Sequence, residues 1–276
     1  MSERGKLKTK INSIPQKESK APFGAQPGKY LYCVIKEKKP QNFHFLGQEG
    51  KAVYTVHFGD LAMVVSDTVK EEYHFIKEYL TGHQKVIEEV MRKGYDVLPI
   101  SFGTVAPSIE YVKEKLLKAK VKELIETFPL IEERIELGLK VFWKDMPGIF
   151  QEIVKENKEI QIAKKEAEKN SSQFKIAKVG ELVQKALEIK RQKEIVAILT
   201  PLKKLAVDFK EREHIRQREI LKDSMILSSA FLVPKENEDE FDRRVESFIR
   251  KYERRMRFIY VGPIPPFNFV ELHLKI

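Results

Sequence analysis

Apolar residues change their spacing several times along this chain, and those changes of period restrict it to a mixed fold of strands and helices. Tyr30 to Ile35 is apolar on both alternating sets, as in a strand covered on both faces. Lys36 to Gly50 is polar, holds Pro40, Gly47 and Gly50, and reads as a loop. Ala52 to Phe58 alternates and is β-branched, and Leu61 to Val65 is a second apolar run. Gly59-Asp60 between them predicts a tight hairpin. The period then lengthens: Phe75, Tyr79, His83, Val86, Val90 and their neighbours fall three and four apart, which predicts a helix over 71–93 stopped by Gly94. Val97 to Phe102 returns to strand character. Pro107-Ser108 opens a helical segment through Ile109, Val112, Leu116 and Leu117, and Leu124 to Phe128 keeps that spacing. Ile135, Leu137, Leu139, Val141 and Trp143 alternate strictly, as a strand ending at Asp145-Met146-Pro147-Gly148.

The second half opens differently. From Ile149 to Lys210 the turn signals are Asn170-Ser171-Ser172, Gly180 and Thr200-Pro201, while Val179, Leu182, Ala186, Leu187, Val196 and Leu199 keep a helical stripe among Lys and Glu. These signs predict an antiparallel helical hairpin turning near Asn170–Ser172, with a break or kink at Thr200-Pro201. Met225 to Val233 is an apolar strand. Asn237 with Glu240 predicts a capping box for a helix whose inner side is Phe241, Val245, Phe248, Ile249 and Tyr252. Met256 to Val261 and Phe269 to Leu274 complete the set as strands. The fold class is α+β, with helices on one face of a mainly antiparallel sheet. The organisation expected is a disordered basic tail over 1–28, an N-terminal α+β domain over 29–143, and a C-terminal α+β domain over 144–276. The last of these includes the helical segment 149–213.

Charge narrows the function classes. Of a net +10, much lies in the first 29 residues, which carry seven Lys or Arg against Glu3 and Glu18. Such an arm contacts phosphates or anionic surfaces in some proteins and is merely solvated in more of them. No apolar run approaches the roughly 20 residues that cross a bilayer. The first 29 residues lack the apolar core of a secretion signal, so a cytoplasmic location is expected. Cys33, the single cysteine, forms no internal disulfide and reads as a small buried apolar residue. Six histidines at 44, 57, 74, 83, 214 and 273 include no pair four apart. No nucleophile elbow, phosphate-binding loop or dinucleotide fingerprint is present. The chain is therefore read as having no catalytic residue, no cofactor and no metal. Nucleic acid is an unfavoured partner, because the aromatic run of a sheet-based RNA reader is missing. An RNA- or ribosome-binding module is kept as the alternative.

Two stiff corners carry the remaining signal. In Leu98-Pro99-Ile100-Ser101-Phe102-Gly103-Thr104-Val105, Pro99 suits a sheet edge and Gly103 permits a turn closed to bulkier residues. Phe102 is a core anchor or a binding-surface residue, the core being the default. In Gly262-Pro263-Ile264-Pro265-Pro266-Phe267-Asn268-Phe269, Pro263, Pro265 and Pro266 hold the backbone extended beneath Phe267 and Phe269. A rigid connection and a docking surface explain that run equally well. His83, on the apolar stripe, reads as a hydrogen-bonded core histidine.

With Tyr30-Leu31-Tyr32 and Gly59-Asp60-Leu61-Ala62, these corners resemble the F/L family of gas vesicle accessory proteins, over residues 29–272 and in the family's order. The resemblance implies a ferredoxin-like variant for the N-terminal domain and a histidine at the position of His83. It implies non-enzymatic assembly work in association with the gas vesicle. The partners implied are the small hydrophobic shell subunit and other accessory proteins. The candidate partner-binding residues are then His83, Phe102, Gly103, Thr104, Pro263, Pro265, Pro266, Phe267 and Phe269.

Overall fold

The computed structural model describes residues 26–169, 172–211, 225–272 and 274. Most of the expected tail, the turn residues Asn170 and Ser171, and His214 and His273 lie outside these.

The first sheet has the order β2-β3-β4-β1-β5, formed by β2 (Asn42–Leu46), β3 (Ala52–Phe58), β4 (Leu61–Thr68), β1 (Gly28–Lys36) and β5 (Leu98–Pro99). A sixth strand, β6 (Val105–Ala106), also pairs with β1. Gly59 sits at φ +60 in the two-residue turn between β3 and β4, a conformation glycine adopts without a Cβ penalty. The run 36–50, expected as a loop, carries β2: Phe43 and Phe45 alternate with exposed neighbours and stack at 5.2 Å.

β1 is buried almost end to end because helices cover both faces of this sheet, not one as expected. A register shift between Leu31 and Cys33 sorts its side chains. Tyr30, Tyr32, Cys33 and Ile35 face helix α1 (Lys77–Arg92), meeting Val86, Ile87 and Val90. Leu31 and Val34 face a π-helical segment (Tyr111–Lys118) and α2 (Val121–Thr127), meeting Val112, Leu116 and Phe128. The helix expected over 71–93 starts only at Lys77, since Ile76 is still extended (φ −104, ψ 151). Its stripe is core from His83 onward, while Phe75, Ile76 and Leu80 stay exposed.

The second sheet corrects the expected domain plan. β7 (Arg134–Trp143), expected to close the first domain, stands at the centre of a sheet ordered β10-β7-β9-β8. Its partners there are β10 (Met256–Ile264) and β9 (Met225–Pro234), with β8 (Asp208–Glu211) at the far edge. The physical reason is that both edges of β1 are already taken, one by β4 and the other by β5 and β6. Numbered from β7, the order is 4-1-3-2 with helices after the first and third strands, which is the ferredoxin-like plan. That plan belongs to the second unit, whereas the first unit's strands run β1 to β4 before any α-helix.

Between β7 and β8 lie α3 (Met146–Glu156), α4 (Lys158–Lys169) and α5 (Gln173–Lys203). Asp145 and Ser172 cap α3 and α5 by accepting the N–H groups of Gly148 and Lys175. No break occurs at Pro201, because it falls in the last turn and α5 runs on to Lys203. At about 1.5 Å per residue α5 is roughly 46 Å long. Its fully buried residues, Ile195, Ile198, Leu199 and Leu202, all lie in its last third. They join Ile149, Ile153, Ile160, Phe231, Phe241 and Val245 in one core. The Arg255 guanidinium ties this layer together, bonding Glu152 of α3 at 2.6 Å and Glu194 of α5 at 2.8 Å, and Glu194 also accepts the Trp143 indole N–H at 2.5 Å. Helix α6 (Glu238–Tyr252) starts without the expected capping box: Asn237 turns its amide to the carbonyl of Leu205 at 3.1 Å.

The C-terminal segment expected as a strand over 269–274 is a crossing back to the first unit. Leu272 forms a single parallel bridge with Ile100, donating its N–H to Pro99 at 2.9 Å. Val270 and Leu272 are buried in the first sheet's core.

The burial pattern along α5 yields a direct test. Ile198→Ala should cost about 2–5 kcal/mol in urea unfolding, whereas Ile189→Ala, at a side chain 62% exposed, should change stability by less than about 0.5 kcal/mol.

Candidate partner-docking site

The site grows from one buried histidine. His83, 2% exposed, lies on the inner face of α1 with Nδ1 at 3.0 Å from the Tyr30 hydroxyl and Nε2 at 3.1 Å from the Ile100 carbonyl oxygen. A backbone carbonyl only accepts, so Nε2 carries the proton and Nδ1 accepts from Tyr30. The Tyr30 oxygen in turn accepts the Gly103 N–H at 3.1 Å. Each donor in this series meets one acceptor, and three elements are fastened: β1, α1 and the 100–104 corner. Burial pulls the His83 pKa down to about 4 and pushes the Tyr30 hydroxyl up, so both groups are neutral.

The corner is shaped for this. Gly103 sits at φ +82 with the Tyr73 carbonyl 3.7 Å from where a Cβ would stand. Thr104 closes the turn by donating to Ser101 O at 2.6 Å, while its own carbonyl accepts the Leu31 N–H at 3.0 Å. Phe102 is thereby turned edge-on to His83 (5.8 Å) and against Phe75 (5.2 Å). Tyr32 stacks on the other side of the imidazole at 5.7 Å, and Phe267 completes the ring cluster at 6.1 Å.

Phe267 is brought in by the second corner. Pro265 and Pro266 are buried and exposed Pro263 lies outside the cluster. The turn is held by Phe267 N–H to Pro265 O at 2.7 Å and Val270 N–H to Pro266 O at 2.8 Å. Asn268 anchors it across the units, donating its backbone N–H at 2.9 Å and its side-chain amide to the buried carboxylate of Glu136 on β7. Phe269 lies apart, under the Lys210 ammonium at 5.5 Å.

Of the residues singled out from sequence, His83, Phe102, Gly103 and Phe267 come together, with Thr104, Pro265 and Pro266 as support. Pro263 and Phe269 do not join them. Sequence reasoning missed Tyr30, Tyr32 and Phe75 as members, and Glu136 and Asn268 as the anchor. Phe75, the first residue of the apolar stripe, carries a signal in retrospect, because it precedes the helix and has nothing to bury it. Its ring is 81% exposed on top of Phe102, and Ile76 and Leu80, close by in the chain, are exposed as well.

Both imidazole nitrogens of His83 are engaged and sealed from water, so the cluster offers no free base or nucleophile. Among the described residues, no group of three or more His, Cys, Asp or Glu side chains is placed to hold a metal, and no helix is long and apolar enough to cross a membrane. On the face of the second sheet turned away from α3–α6, the central strands carry Gly138, Lys140, Ser228 and Ala230, and the Phe142 ring on that face is buried with the Arg257 guanidinium over it at 4.3 Å.

The geometry defines a rigid aromatic cluster with exposed apolar residues beside it, and comparison with known proteins shows the family to which the chain belongs. Residues 28–271 match the family model described as gas vesicle synthesis protein GvpL/GvpF, and the chain belongs to that family. It is 27% identical to gas vesicle protein F of Nostoc sp. (strain PCC 7120), over 89% of this chain and 98% of that protein. It is 25% identical to gas vesicle protein F1 of Halobacterium salinarum, over 89% and 93%. The crystal structure of GvpF from Anabaena sp. PCC7120 superposes with a TM-score of 0.78 at 26% identity, covering 90% of this chain and all of that one. GvpF from Microcystis aeruginosa gives 0.74 at 28%, covering 89% and 99%. The chain thus has an accessory role in prokaryotic gas vesicle formation.

The histidine's environment makes pH a probe of the seat. The folded-state pKa near 4 lies below the ordinary 6.5, so the unfolded chain takes up the proton first as pH falls. The contribution to stability is complete above pH 6.5 and is lost as pH drops toward 4. Between pH 7 and pH 5 the native protein should lose about 2 kcal/mol more than a His83→Gln variant, measured by urea unfolding at each pH. Equal losses would refute the neutral buried imidazole.

Proposed function

We propose that this protein binds the small hydrophobic shell subunit during nucleation or growth of the gas vesicle, in the cytoplasm and together with other accessory proteins, without catalysing a reaction. The observation that carries this reading is Phe75 standing in solvent on the fixed base of Phe102 and His83. Covering a phenylalanine or leucine side chain is worth roughly 1.5–3 kcal/mol, and Phe75, Ile76 and Leu80 forgo that gain in the free chain. A partner with a water-repelling face recovers it. Because Phe102 and His83 are already locked by hydrogen bonds and ring contacts, little freedom is lost on docking. A shell subunit with such a face would aggregate if left free, so a surface that holds it until it reaches the growing shell serves assembly directly.

Pull-down of purified shell subunit tests this. The native chain should capture it, and Phe75→Asp with Leu80→Asp should reduce capture at least about tenfold. Both positions are exposed, so the melting temperature of the double variant should stay near that of the native protein. Undiminished capture by the variant would overturn the assignment.

A further inference from the structure

The sheet edges of this protein are unequal. β8 is four residues long and carries Asp208, Lys210 and Glu211. β2, at the edge of the first sheet, is five residues long and broken by a register shift between Phe43 and Leu46. β10 runs for nine residues and has a register shift of its own between Val261 and Ile264, at Gly262-Pro263, but the stretch before it, Phe258-Ile259-Tyr260-Val261, contains neither a charge nor a proline. Edges are ordinarily kept from pairing by charge, proline, bulges or brevity. By that standard β10 is left open over Phe258–Val261, between Arg257 and the shift at Gly262-Pro263. Its inner edge is paired with β7, and among the described residues nothing hydrogen-bonds to the outer edge of 257–261. Ile259 and Val261 are 39% and 46% exposed beside it.

The surroundings select the occupant. Phe258 and Tyr260 point to the helix layer, where the Tyr260 hydroxyl donates to Asp242. That bond places above β10 the flank of α6 on which Glu238, Asp242, Glu246 and Ile249 recur at helical spacing, Glu246 being paired with Arg250 at 3.3 Å and Glu238 and Asp242 carrying the acidic character. Burial, and then the adjacent Asp242 and Asp239 carboxylates, raise the pKa of Glu238. A second copy of this chain, paired about Ile259 by a two-fold axis, would set two such acidic flanks against each other. A strand with basic side chains on its helix side and aliphatic ones on the other would meet complementary surfaces on both. Past Val261 the track leads into a cavity of about 510 Å³, walled by Pro263 and Ile264 on one side and Met91 and Val97 on the other. Its lining carries charges of both signs, Glu88, Asp96 and Glu238 against Arg92, Arg134 and Lys235.

We propose that the outer edge of β10 receives, as an added strand, an extended segment of another protein in which aliphatic residues alternate with lysine or arginine. Its main chain pairs with residues 257–261, its basic side chains lie beneath the acidic flank of α6, and its end enters the cavity beside Pro263. This surface is separate from the exposed Phe75, so a partner can engage either one alone.

The probe is a fluorescein-labelled nine-residue peptide alternating valine with lysine, titrated into the whole protein and compared with its valine–glutamate counterpart. The lysine peptide should bind at least about tenfold more tightly than the glutamate one, and the double variant Ile259→Lys, Val261→Lys should weaken it by a similar factor without changing the melting temperature. Amide hydrogen exchange should slow at 257–261 when the peptide is added. Glu238→Gln with Asp242→Asn should erase the preference for lysine over glutamate, while Phe75→Asp with Leu80→Asp should leave peptide binding unchanged. Equal affinity for the two peptides, or protection elsewhere than 257–261, would overturn the proposal. So would a dimer of the native chain that the Ile259→Lys, Val261→Lys variant dissociates, since a second copy would then hold the edge.

Discussion

Everything distinctive about the candidate surface depends on how His83 spends its two ring nitrogens. One donates to the Ile100 carbonyl, the other accepts from Tyr30, and Tyr30 accepts from Gly103. In a site sealed from water each of these bonds is retained, because losing one would strand a buried polar atom at a cost of about 1–3 kcal/mol. The series fixes where α1 lies on the sheet and how the 100–104 corner turns. Through the corner it fixes the Phe102 ring, and through ring packing it fixes the place that Phe267 fills. An exposed phenylalanine on a loose loop would be an aggregation hazard. Phe75 rests on a base that cannot shift.

The join between the two units follows the same logic at longer range. The chain leaves the second sheet at Ile264, passes the buried prolines, is pinned to Glu136 through Asn268, and ends against Pro99 and Ile100 of the first sheet. Four kinds of constraint act within nine residues: restricted φ at the prolines, a buried carboxylate, ring packing and a β-bridge. Under the proposed docking role such a seam would keep surfaces on the two units in a constant relation while a partner is bound.

Local elements were legible in the sequence and their pairing was not. Periods of two and of three-to-four located β1, β3, β4, β7, β9, α2 and α6 closely, since burial on one or both faces imposes those spacings. The helix at 71–93 was drawn too long because Phe75, Ile76 and Leu80 extend the stripe without being buried; period reports spacing, not burial. β2 was passed over although Asn42-Phe43-His44-Phe45 alternates, its signal diluted by the polar residues around it. Strand order is set by which edges remain free, a property of the assembled sheet. For that reason Ile135 to Trp143 was assigned to the wrong unit and the ferredoxin-like plan with it. Within the site, His83, Phe102, Gly103 and Phe267 stood out as chemically unusual among their neighbours. Glu136 did not, because a glutamate in an alternating strand looks solvated until its partner, 132 residues away, is in place. The family was legible from four short motifs, which mark the corners and hairpin that this seam requires.

The account turns on a neutral, Nε2-protonated imidazole at the centre of the seat, and nitrogen-15 NMR of the histidine side chains reads that state directly. His83 should show the Nε2–H tautomer, with Nδ1 shifted as a hydrogen-bond acceptor, unchanged from pH 8 down to pH 5. A charged imidazolium at pH 6, or a proton resident on Nδ1, would contradict it.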